Sequence, residues 1–584
     1  MAMQITSDTI IKNIDQHFKV SAGPGAGKTH WLINHLKNVL YHSNKLGRNK
    51  KIACITYTNN AVETILSRLG NCTDKVEVST IHSFLYKNIV KPYIKFIPEE
   101  YELNVAKVDG HDDFEIGSNC IKSWIENHPN RSKLRNPFSL NQLILLPDNL
   151  RRLKRWLSSA YYYVNPSDEI VIRTDRSKAG IMDQNNKYLA INEKTLDLLE
   201  PYIFILKKEY WKIGLLSHDD VLFFSYCLIM KYPFILDILS SKYPYFFIDE
   251  FQDSNPIQTK ILKMLEQKAI IGIIGDKAQS IYEFQGADVA QFDSFILPNM
   301  AMYEINDNRR SSSEIVKLLN HVRTDLKQNE ENSLSTGFMP QIIVGDKLDA
   351  YYKAKQIANE DVYALSYSNI IANTMRHAIT GISEFRNFIE DLKIADSNNE
   401  RIKIIIGTIN AIELAQQLKY KEAIMILEKL YPKSLDKGKK ALLLLQSLLK
   451  EYSKYKDNTL FYYQTYIQKY INSPQVTRGK VKIFYETHTY LELASCVNIP
   501  ENKSCFRTIH KAKGSGYENV MLVLEKESDI DFILAPNLMN NVDHRVYYVA
   551  MSRAKRRLFI SVPTLSNKIE EKLNTLSLIN IVHI

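Results

Sequence analysis

The sequence has 584 residues and a formal net charge of +10 at pH 7, from 75 Lys and Arg against 65 Asp and Glu. This length excludes a single hydrophobic core, so several domains or subdomains are expected. Hydrophobic residues make up 45% and charged residues 24% of the chain, which describes an ordinary soluble globular protein, and the mild basic excess permits a polyanionic partner without requiring one.

The cysteines and the apolar runs exclude further classes. The six cysteines form no CxxC pair and no metal-ligand spacing, so neither a disulfide framework nor a structural metal is expected. No run approaches the ~18 apolar residues of a membrane span, and Met1–Thr6 lacks the features of a signal peptide. The sequence therefore predicts a cytoplasmic protein without a membrane partner.

A glycine-rich turn lies between a predicted strand, Phe18–Ala22, and a predicted helix near the start of the chain. Glycines in such a turn let backbone N–H groups point inward around a phosphate, and the helix N-terminus adds partial positive charge. Lys28 is expected to reach the β- and γ-phosphates, and the Thr29 hydroxyl is expected to ligate Mg²⁺. The candidate nucleotide-binding residues of this loop are Gly23, Gly25, Ala26, Gly27, Lys28 and Thr29.

Two more segments, Lys51–Ala61 and Val76–Phe84, have the pattern of a buried strand, a polar turn and a helix. Alternating strands and helices favour a parallel sheet covered on both faces, with functional groups at the carboxyl ends of the strands. Thr58, Asn59 and His82 fall at such ends. The predicted fold class is therefore α/β.

The alternation stops between about residues 90 and 205. Arg151–Trp156 combines basic residues with an aromatic one, and Tyr161–Tyr163 follows shortly after. Such a pattern is typical of a surface that binds phosphates and stacks bases. A solvated helix face beside a small core explains it equally well, and the sequence leaves both interpretations open.

The alternation resumes at Tyr245–Asp253, a hydrophobic strand that ends in two adjacent carboxylates. Such a pair complements a phosphate-binding loop, with Asp249 holding Mg²⁺ and Glu250 polarising the attacking water. Ile270–Tyr282 is a further strand with a polar tip, and a second α/β unit is predicted to begin near residue 300.

Seven blocks in this order resemble the UvrD/Rep/PcrA group of superfamily 1 helicases. Asp249–Asp253 has that family's DEFQD sequence, and Gly275–Tyr282 fits its GDxxQSIY pattern. One such block is weak evidence, but seven in the family's order are strong evidence. The blocks are Thr56–Ala61, Thr80–Phe84, Asp249–Asp253, Gly275–Tyr282, Asn308–Ser311, Thr508–Gly514 and Tyr548–Ala554.

The resemblance implies two RecA-like P-loop domains with parallel sheets, each carrying an inserted mainly helical subdomain. ATP and Mg²⁺ are expected between the two domains, and single-stranded or tailed DNA across them. The expected bounds are 1–90 and 205–300 for the first domain, 91–204 for its insert, 301–375 and 496–584 for the second domain, and 376–495 for its insert.

The resemblance also implies roles for individual side chains. Glu250 becomes the catalytic base, Asp249 a Mg²⁺ ligand and Gln279 the sensor of the γ-phosphate. Arg310 and Arg553, both from the second domain, are implied as arginine fingers that stabilise charge when the cleft closes. The implied DNA contacts are Tyr57, Thr58, Asn59, His82, Tyr282, Phe284, Thr508 and His510.

Four positions depart from the family's pattern. Ser7 lies near the place of a Gln that reads the adenine edge, Arg309 replaces a Tyr that stacks on the base, and Gly516 replaces a Glu expected near the ribose. Gln285 replaces an Arg in the GDxxQSIY region. Because three of these changes fall on the base-and-sugar side, we expect hydrolysis with relaxed base choice, so that other NTPs than ATP are accepted. Arg309 remains a candidate to bind the base through its planar guanidinium.

The sequence predicts a DNA-dependent NTPase that acts as a 3′→5′ single-stranded DNA translocase or helicase in DNA repair or anti-phage defence. The chain also looks similar to the UvrD-like subunit of the Gabija anti-phage system, which works with an OLD-family nuclease. Because no aromatic residue follows Phe559, translocation is expected rather than processive unwinding. The alternatives are a DNA-sensing NTPase subunit of a nuclease-containing complex, a non-catalytic DNA-binding clamp, and a protein that acts on RNA.

Overall fold

The computed structural model divides the chain into two compact units. The first comprises Met1–Gly337 and Ala535–Ser552, and the second comprises Phe338–Leu534 and Arg553–Ile584. The structure describes residues 2–112, 116–133, 147–165, 167, 169–182, 188–282, 289–329, 337–369, 371–372, 374–375, 388–416, 419–431, 434, 436–496 and 504–584.

The first unit is organised around a seven-stranded parallel sheet. Its strands are β1 (Met3–Ile5), β2 (Phe18–Ala22), β3 (Ile52–Thr56), β4 (Val76–Thr80), β9 (Tyr245–Ile248), β10 (Ile270–Gly275) and β11 (Ala301–Ile305). The strand order is β1-β11-β2-β10-β9-β3-β4. The central strands are hydrophobic and buried along their length, as expected for a parallel sheet that helices cover on both faces.

Helices of the first unit pack against this sheet and build its insertion. They are α1 (Lys28–His42), α2 (Asn59–Leu69), α3 (Ile81–Leu85), α4 (Lys91–Tyr93), α5 (Ser118–Glu126), α6 (Pro147–Leu157), α7 (Glu193–Leu199), α8 (Ile203–Trp211), α9 (His218–Lys231), α10 (Phe234–Lys242), α11 (Pro256–Lys263), α12 (Val289–Ser294) and α13 (Ser313–Val322). Because the strands are parallel, their carboxyl ends meet at one edge, where the turns to α1 and α2 also lie.

The insertion between β4 and β9 also contains two antiparallel hairpins. These pair β5 (Tyr161–Val164) with β6 (Ile170–Arg173), and β7 (Gly180–Met182) with β8 (Tyr188–Ala190). Trp156 and Tyr162 are buried, and the Tyr162 hydroxyl donates to Asp220 Oδ1 at 2.6 Å. These two aromatic residues of the basic and aromatic stretch therefore belong to a core, which supports the second of the two interpretations for them.

Two sequence assignments need correction at the end of the first sheet. Ala301–Ile305 was expected in the second domain but pairs in parallel with β2, with Tyr303 opposite Val20. Arg310, five residues after this strand, therefore lies in the first unit rather than the second. The cause is the sheet order, since a strand placed between β1 and β2 carries the residues that follow it to the edge where the glycine-rich loop lies.

The second unit holds a six-stranded parallel sheet and an insertion that is helical in its described residues. Its strand order is β14-β13-β15-β16-β12-β17. The strands are β12 (Gln341–Val344), β13 (Tyr363–Ser366), β14 (Phe506–Thr508), β15 (Tyr517–Val523), β16 (Ala554–Val562) and β17 (Asn580–His583). With the first sheet, this confirms the predicted α/β class with two parallel sheets.

The helices of the second unit precede, fill and follow the insertion between β13 and β14. They are α14 (Lys347–Ala358), α15 (Phe388–Ala395), α16 (Asn399–Gln416), α17 (Tyr420–Glu428), α18 (Lys437–Lys450), α19 (Tyr452–Tyr455), α20 (Leu460–Ile467), α21 (Gly479–Thr487), α22 (Tyr490–Cys496), α23 (Ile509–Ala512), α24 (Asp531–Leu534) and α26 (Asn567–Leu576). Isoleucine, leucine and tyrosine side chains form the core of the insertion.

One helix returns late in the sequence to the first unit. Residues Ala535–Ser552 carry α25 (Val542–Met551), whose described residues from Arg545 to Met551 are all buried. The Arg545 Nε donates to the Ser280 carbonyl at 2.8 Å. The first unit is therefore complete only with a segment that follows most of the second unit in the chain.

Over the described ranges, no single helix combines the length and apolar character needed to cross a membrane. The helices α9 and α10 reach that length and composition only as a pair, which is bent by 110°.

Candidate active site

The glycine-rich loop follows β2 and leads directly into α1. Gly25 and Gly27 adopt the left-handed region with φ of 73° and 82°, which glycine enters at little cost. Gly27 precedes the first turn of α1 without a side-chain hydrogen bond to that turn, and the turn carries no acidic residue. The first N–H groups of α1 and its positive dipole end therefore suit an anion.

Lys28 lies in this loop with its side chain buried. Its Nζ donates to the carbonyls of Ala22 and Gly23, both at 3.2 Å. Burial lowers the pKa of Lys28, and the negative charges of nearby carboxylates oppose that shift. The carboxylates that act on Lys28 are Asp276, Glu250 and Asp249, in order of decreasing effect.

The two carboxylates after β9 form a tight turn. The Asp249 N–H donates to the Ile55 carbonyl at 2.8 Å, and the Glu250 N–H donates to Asp249 Oδ1 at 3.0 Å. Glu250 has a φ of 53°, in the left-handed region that a non-glycine residue rarely adopts. Such strain persists only where neighbouring contacts enforce it, and it is concentrated at functional sites.

Gln252 connects this turn to the next strand. Its Nε2 donates to Glu250 Oε2 at 2.5 Å, and its Oε1 accepts the Asp276 N–H at 2.9 Å. Asp276 in turn accepts from Gln279 Nε2 at 2.6 Å and from the guanidinium of Arg323 at 2.7 Å. All but Glu250 are buried, so the network fixes the candidate base and the candidate phosphate sensor relative to each other.

A second network holds the turn after β11 against the glycine-rich loop. The Arg309 N–H donates to the Gly25 carbonyl at 2.9 Å. Gln328 Nε2 donates to the Pro24 carbonyl at 2.8 Å, and Gln328 Oε1 accepts from Asn308 Nδ2 at 3.0 Å. This network fixes the start of the Arg310 side chain beside the loop.

Arg310 belongs to the same charged group. Its guanidinium donates to the Ser552 carbonyl at 3.1 Å. Burial lowers the pKa of Arg310, the charge of Glu250 opposes that shift, and the charge of Arg310 in turn lowers the pKa of Lys28. Arg310 and Lys28 thus both interact with the negative charge of Glu250.

The arrangement fits a nucleoside triphosphate with Mg²⁺. Oxygen donors such as the Thr29 hydroxyl and the Asp249 carboxylate suit Mg²⁺, which proteins usually hold through one or two carboxylates together with substrate phosphates. Among the described residues, no group of three or more His, Cys, Asp or Glu side chains is placed to hold a metal ion.

Sequence reasoning missed three residues of the site. Gln252 lies inside a block that was singled out, and its position two residues after Glu250 was a usable signal. Gln328 and Arg323 lie outside every block, and the Gln328 side-chain amide donates to the backbone carbonyls of Pro24 and Asp307. Side-chain contacts with backbone carbonyls cannot be predicted from a pattern of residue types.

The candidate DNA-binding residues of the first unit lie at the ends of β3 and β4 and beyond β10. Thr58 caps α2 by accepting the Ala61 N–H at 3.2 Å, and Asn59 begins that helix. The rings of Tyr57 and Tyr282 lie against each other, with centroids 4.8 Å apart. Phe284, predicted to stack on a base, lies outside the described residues.

His82 lies in a cluster of three histidines. Its ring centroid is 5.2 Å from that of His218, whose Nδ1 is 2.7 Å from His111 Nδ1. Burial, together with the charges of His218 and His111, lowers the pKa of His82 to about 3. His82 is therefore neutral at physiological pH.

The candidate residues of the second unit are Thr508, His510 and Arg553. Thr508 caps α23 by accepting the Lys511 N–H at 3.3 Å, and the His510 ring lies 6.0 Å from that of Tyr367. Arg553 is buried, and its guanidinium donates to the Ser515 carbonyl at 3.2 Å.

Charged side chains surround the exposed side of the loop. Asp8 Oδ1 is 3.0 Å from His30 Nε2, and Asp8 Oδ2 accepts from the guanidinium of Arg309. Ser7, near the place of the family's base-reading Gln, is buried against Gly27. Within the described part of the chain, the Ser7 hydroxyl has no hydrogen-bond partner.

Comparison with known proteins finds two family models that together cover most of the chain. Residues 4–297 match the family model of the UvrD/REP helicase N-terminal domain, and residues 296–564 match that of the UvrD-like helicase C-terminal domain. Gabija protein GajB of Bacillus cereus (strain HuB5-5) is 29% identical over 363 residues, which cover 55% of this chain and 49% of GajB. The chain thus spans about half the length of that relative.

Two further relatives are named as ATP-dependent DNA helicases. Rep of Buchnera aphidicola subsp. Schizaphis graminum (strain Sg) is 21% identical over 655 residues, which cover 96% of this chain and 93% of Rep. PcrA of Bacillus subtilis (strain 168) is 24% identical over 333 residues, which cover 56% of this chain and 40% of PcrA. Since the two family models together span nearly the whole sequence, the chain belongs to the UvrD/Rep helicase family.

Proposed function

We propose that this protein is an ATP-dependent DNA helicase motor, a DNA-dependent NTPase that moves 3′→5′ along single-stranded DNA. One observation carries the enzymatic part. A buried lysine, two strand-end carboxylates, a glutamine and an arginine converge beside an uncapped helix N-terminus. These residues are Lys28, Asp249, Glu250, Gln279 and Arg310. The names of Rep and PcrA support DNA as the polymer.

Each residue then has a defined task in hydrolysis. The loop N–H groups and Lys28 bind the phosphates, and Thr29 and Asp249 hold Mg²⁺. Bound Mg²⁺ neutralises charge on the phosphates. Glu250 takes the proton of the attacking water, and Gln279 contacts the γ-phosphate. Arg310 in the first unit and Arg553 in the second stabilise the charge of the transition state.

The binding of DNA involves both units in this proposal. Tyr57 and Tyr282 provide aromatic faces for bases, and base stacking tolerates any sequence. Thr58, Asn59 and His82 contact phosphates from the first unit, and Thr508 and His510 from the second. The hydroxyl oxygens of Thr58 and Thr508 already accept helix N–H groups, so we expect these hydroxyls to contact DNA phosphates by donating their hydrogens.

The test is steady-state phosphate release from ATP, GTP, CTP and UTP, with and without single-stranded DNA. We expect stimulation by DNA and loss of turnover in the Glu250→Gln variant, which also controls for contaminating enzymes. Comparable kcat/KM values for the four NTPs support relaxed base choice. A preference of a hundredfold or more for ATP over GTP contradicts that part, and absence of turnover under all conditions favours the clamp alternative.

Direction is tested separately by displacement of streptavidin from biotin at either end of a single strand. Faster displacement from the 5′ end than from the 3′ end supports 3′→5′ movement, and the reverse contradicts it. Strand separation on 3′-tailed duplexes then distinguishes a helicase from a translocase that unwinds little.

The biological role has two candidates. Similarity to GajB favours anti-phage defence, in which this chain serves as the DNA-sensing NTPase of a complex with an OLD-family nuclease. Similarity to Rep and PcrA favours DNA repair. Purification from the native host distinguishes them, because a nuclease that co-purifies in stoichiometric amounts supports the defence role.

A further inference from the structure

The nucleotide site has a buried side and an exposed side. Lys28, Asp249 and Gln279 are buried at the carboxyl edge of the sheet. A nucleotide whose phosphates lie in the glycine-rich loop directs its γ-phosphate toward these residues and its sugar and base toward the exposed side. The side chains at that exposed side therefore determine how the base is bound.

Three charged or polar side chains, here called the rim cluster, occupy that side. Asp8 follows Ser7, which lies against Gly27, and a Cβ on that glycine would approach the Ser7 Cβ to 2.8 Å. His30 lies in the first turn of α1, and the Arg309 N–H donates to the loop at 2.9 Å. The side chains of Asp8, His30 and Arg309 are 54%, 50% and 44% exposed, so all three are accessible to a ligand.

Asp8 fixes the other two members of the rim cluster. Its two oxygens engage His30 and Arg309 separately, and a second carboxylate, Asp307, lies 3.8 Å from the same guanidinium nitrogen. An arginine side chain has large rotational freedom, and its planar guanidinium stacks well on aromatic faces. Holding that plane before the ligand arrives removes part of the entropy cost of binding.

We propose that Asp8 is a positioning residue that holds the Arg309 guanidinium as a stacking surface for the nucleotide base. This inference rests on the proposed NTPase function and deepens it, because it assigns nucleotide binding to stacking on the face of the base rather than to hydrogen bonds along its edge. Every base has a π-face, so a surface of this kind accepts purines and pyrimidines alike. Relaxed base choice then results from the stacking surface itself, in addition to the loss of side chains that recognise the edge of the base.

The test compares KM for ATP, GTP, CTP and UTP in wild type, Asp8→Ala, Arg309→Ala, Arg309→Lys and the double variant Asp8→Ala/Arg309→Ala. We expect Asp8→Ala to raise all four KM values by a similar factor, roughly two- to fivefold. Arg309→Ala is expected to raise them roughly 5- to 150-fold. Arg309→Lys should resemble Arg309→Ala, because a lysine retains the charge and loses the plane.

The double variant separates positioning from direct contact. If Asp8 acts only through Arg309, Asp8→Ala has no further effect in the Arg309→Ala background. The control is Asp237→Ala, which removes an exposed ion pair with Lys268 at the amino ends of the strands. It should leave all four KM values unchanged.

Several outcomes overturn the inference. If Asp8→Ala changes the order of the four KM values, Asp8 recognises the hydrogen-bonding edge of the base rather than positioning Arg309. If Asp8→Ala lowers KM, the ion pair between Asp8 and Arg309 hinders nucleotide binding. Unchanged KM values, or additive effects in the double variant, would also overturn it. These failures differ from failure of the proposed function, in which wild-type protein shows no DNA-stimulated hydrolysis that Glu250→Gln abolishes.

Discussion

Gln252 offers a sharp test of the buried network, because its two ends have different tasks. The Nε2 end donates to Glu250 at 2.5 Å, and the Oε1 end accepts the Asp276 N–H at 2.9 Å. A hydrogen bond to a charged group contributes about 1.5–3 kcal/mol. If that contribution is made in the transition state, Gln252→Ala lowers kcat roughly 10- to 150-fold. KM should change little, because the Gln252 side chain contacts Glu250, the proposed catalytic base, and the Asp276 N–H rather than the glycine-rich loop.

The same change also weakens the fold. The buried Asp276 N–H loses its hydrogen-bond acceptor, which lowers the free energy of unfolding by about 1–3 kcal/mol. The matched control is Gln258→Ala in α11, which removes a buried glutamine that accepts the Asn255 N–H at 3.1 Å. This capping contact is worth about 0.5–2 kcal/mol, and it does not involve Glu250. We therefore expect similar losses of thermal stability in the two variants and a large loss of kcat in only one.

Single-turnover hydrolysis with saturating DNA measures the effect, and thermal unfolding of both variants provides the comparison. A second variant, Gln252→Glu, retains an acceptor for the Asp276 N–H and places a carboxylate against Glu250. It should be as inactive as Gln252→Ala. If Gln252→Ala retains wild-type kcat, or if Gln258→Ala loses as much kcat, then Gln252 does not position the base and the reasoning fails.

Two further predictions concern the loop and α1. Gly25→Ala places a Cβ 2.6 Å from Asn308 Oδ1 at a φ of 73°, so NTP hydrolysis should fall at least tenfold. Gly47→Ala, also at positive φ but with no atom within 4 Å of the new Cβ, should remain active. His35 packs among Trp31, Phe18 and Phe247, and burial lowers its pKa to about 3. The unfolded chain therefore binds a proton below about pH 6.5 that the folded chain excludes, and stability falls as the pH is lowered. Between pH 7 and 5 the loss is about 2 kcal/mol from this residue. His35→Phe should remove that part of the pH dependence in urea unfolding, while His42→Gln at the exposed end of α1 should not. Equal pH dependence of His35→Phe and wild type would contradict the burial argument.

The sequence predicts the chemistry at the ends of the strands better than the order of the strands. The phosphate-binding loop and the Asp249–Glu250 pair are recognisable because local patterns of glycine, carboxylate and strand hydrophobicity encode them. The position of Ala301–Ile305 is not encoded in this way, since parallel pairing joins β11 to β2 across almost three hundred residues. The error for Arg310 follows from that single strand.

The contacts that support the site are equally hard to read from residue types. Gln328 is linked to the loop through the Pro24 carbonyl, and every residue offers such an acceptor. The same holds for the contact of Arg310 with the Ser552 carbonyl. Residues whose partners are backbone atoms leave no complementary residue type in the sequence, so only the folded chain reveals them.

The late return of α25 to the first unit has a consequence for how the protein is made. The Arg323 side chain is hydrogen-bonded to the Tyr548 hydroxyl of that helix, and Arg545 of the same helix donates to the Ser280 carbonyl. A ribosome completes residue 337 long before residue 552, and at typical elongation rates the interval is roughly 10 to 45 s. During that time the nascent first unit has an unfilled position for α25. Only protein synthesised past Ser552 can complete the first unit, so premature termination between residues 338 and 534 yields a chain whose first unit lacks α25 and the Ser552 carbonyl that accepts from Arg310.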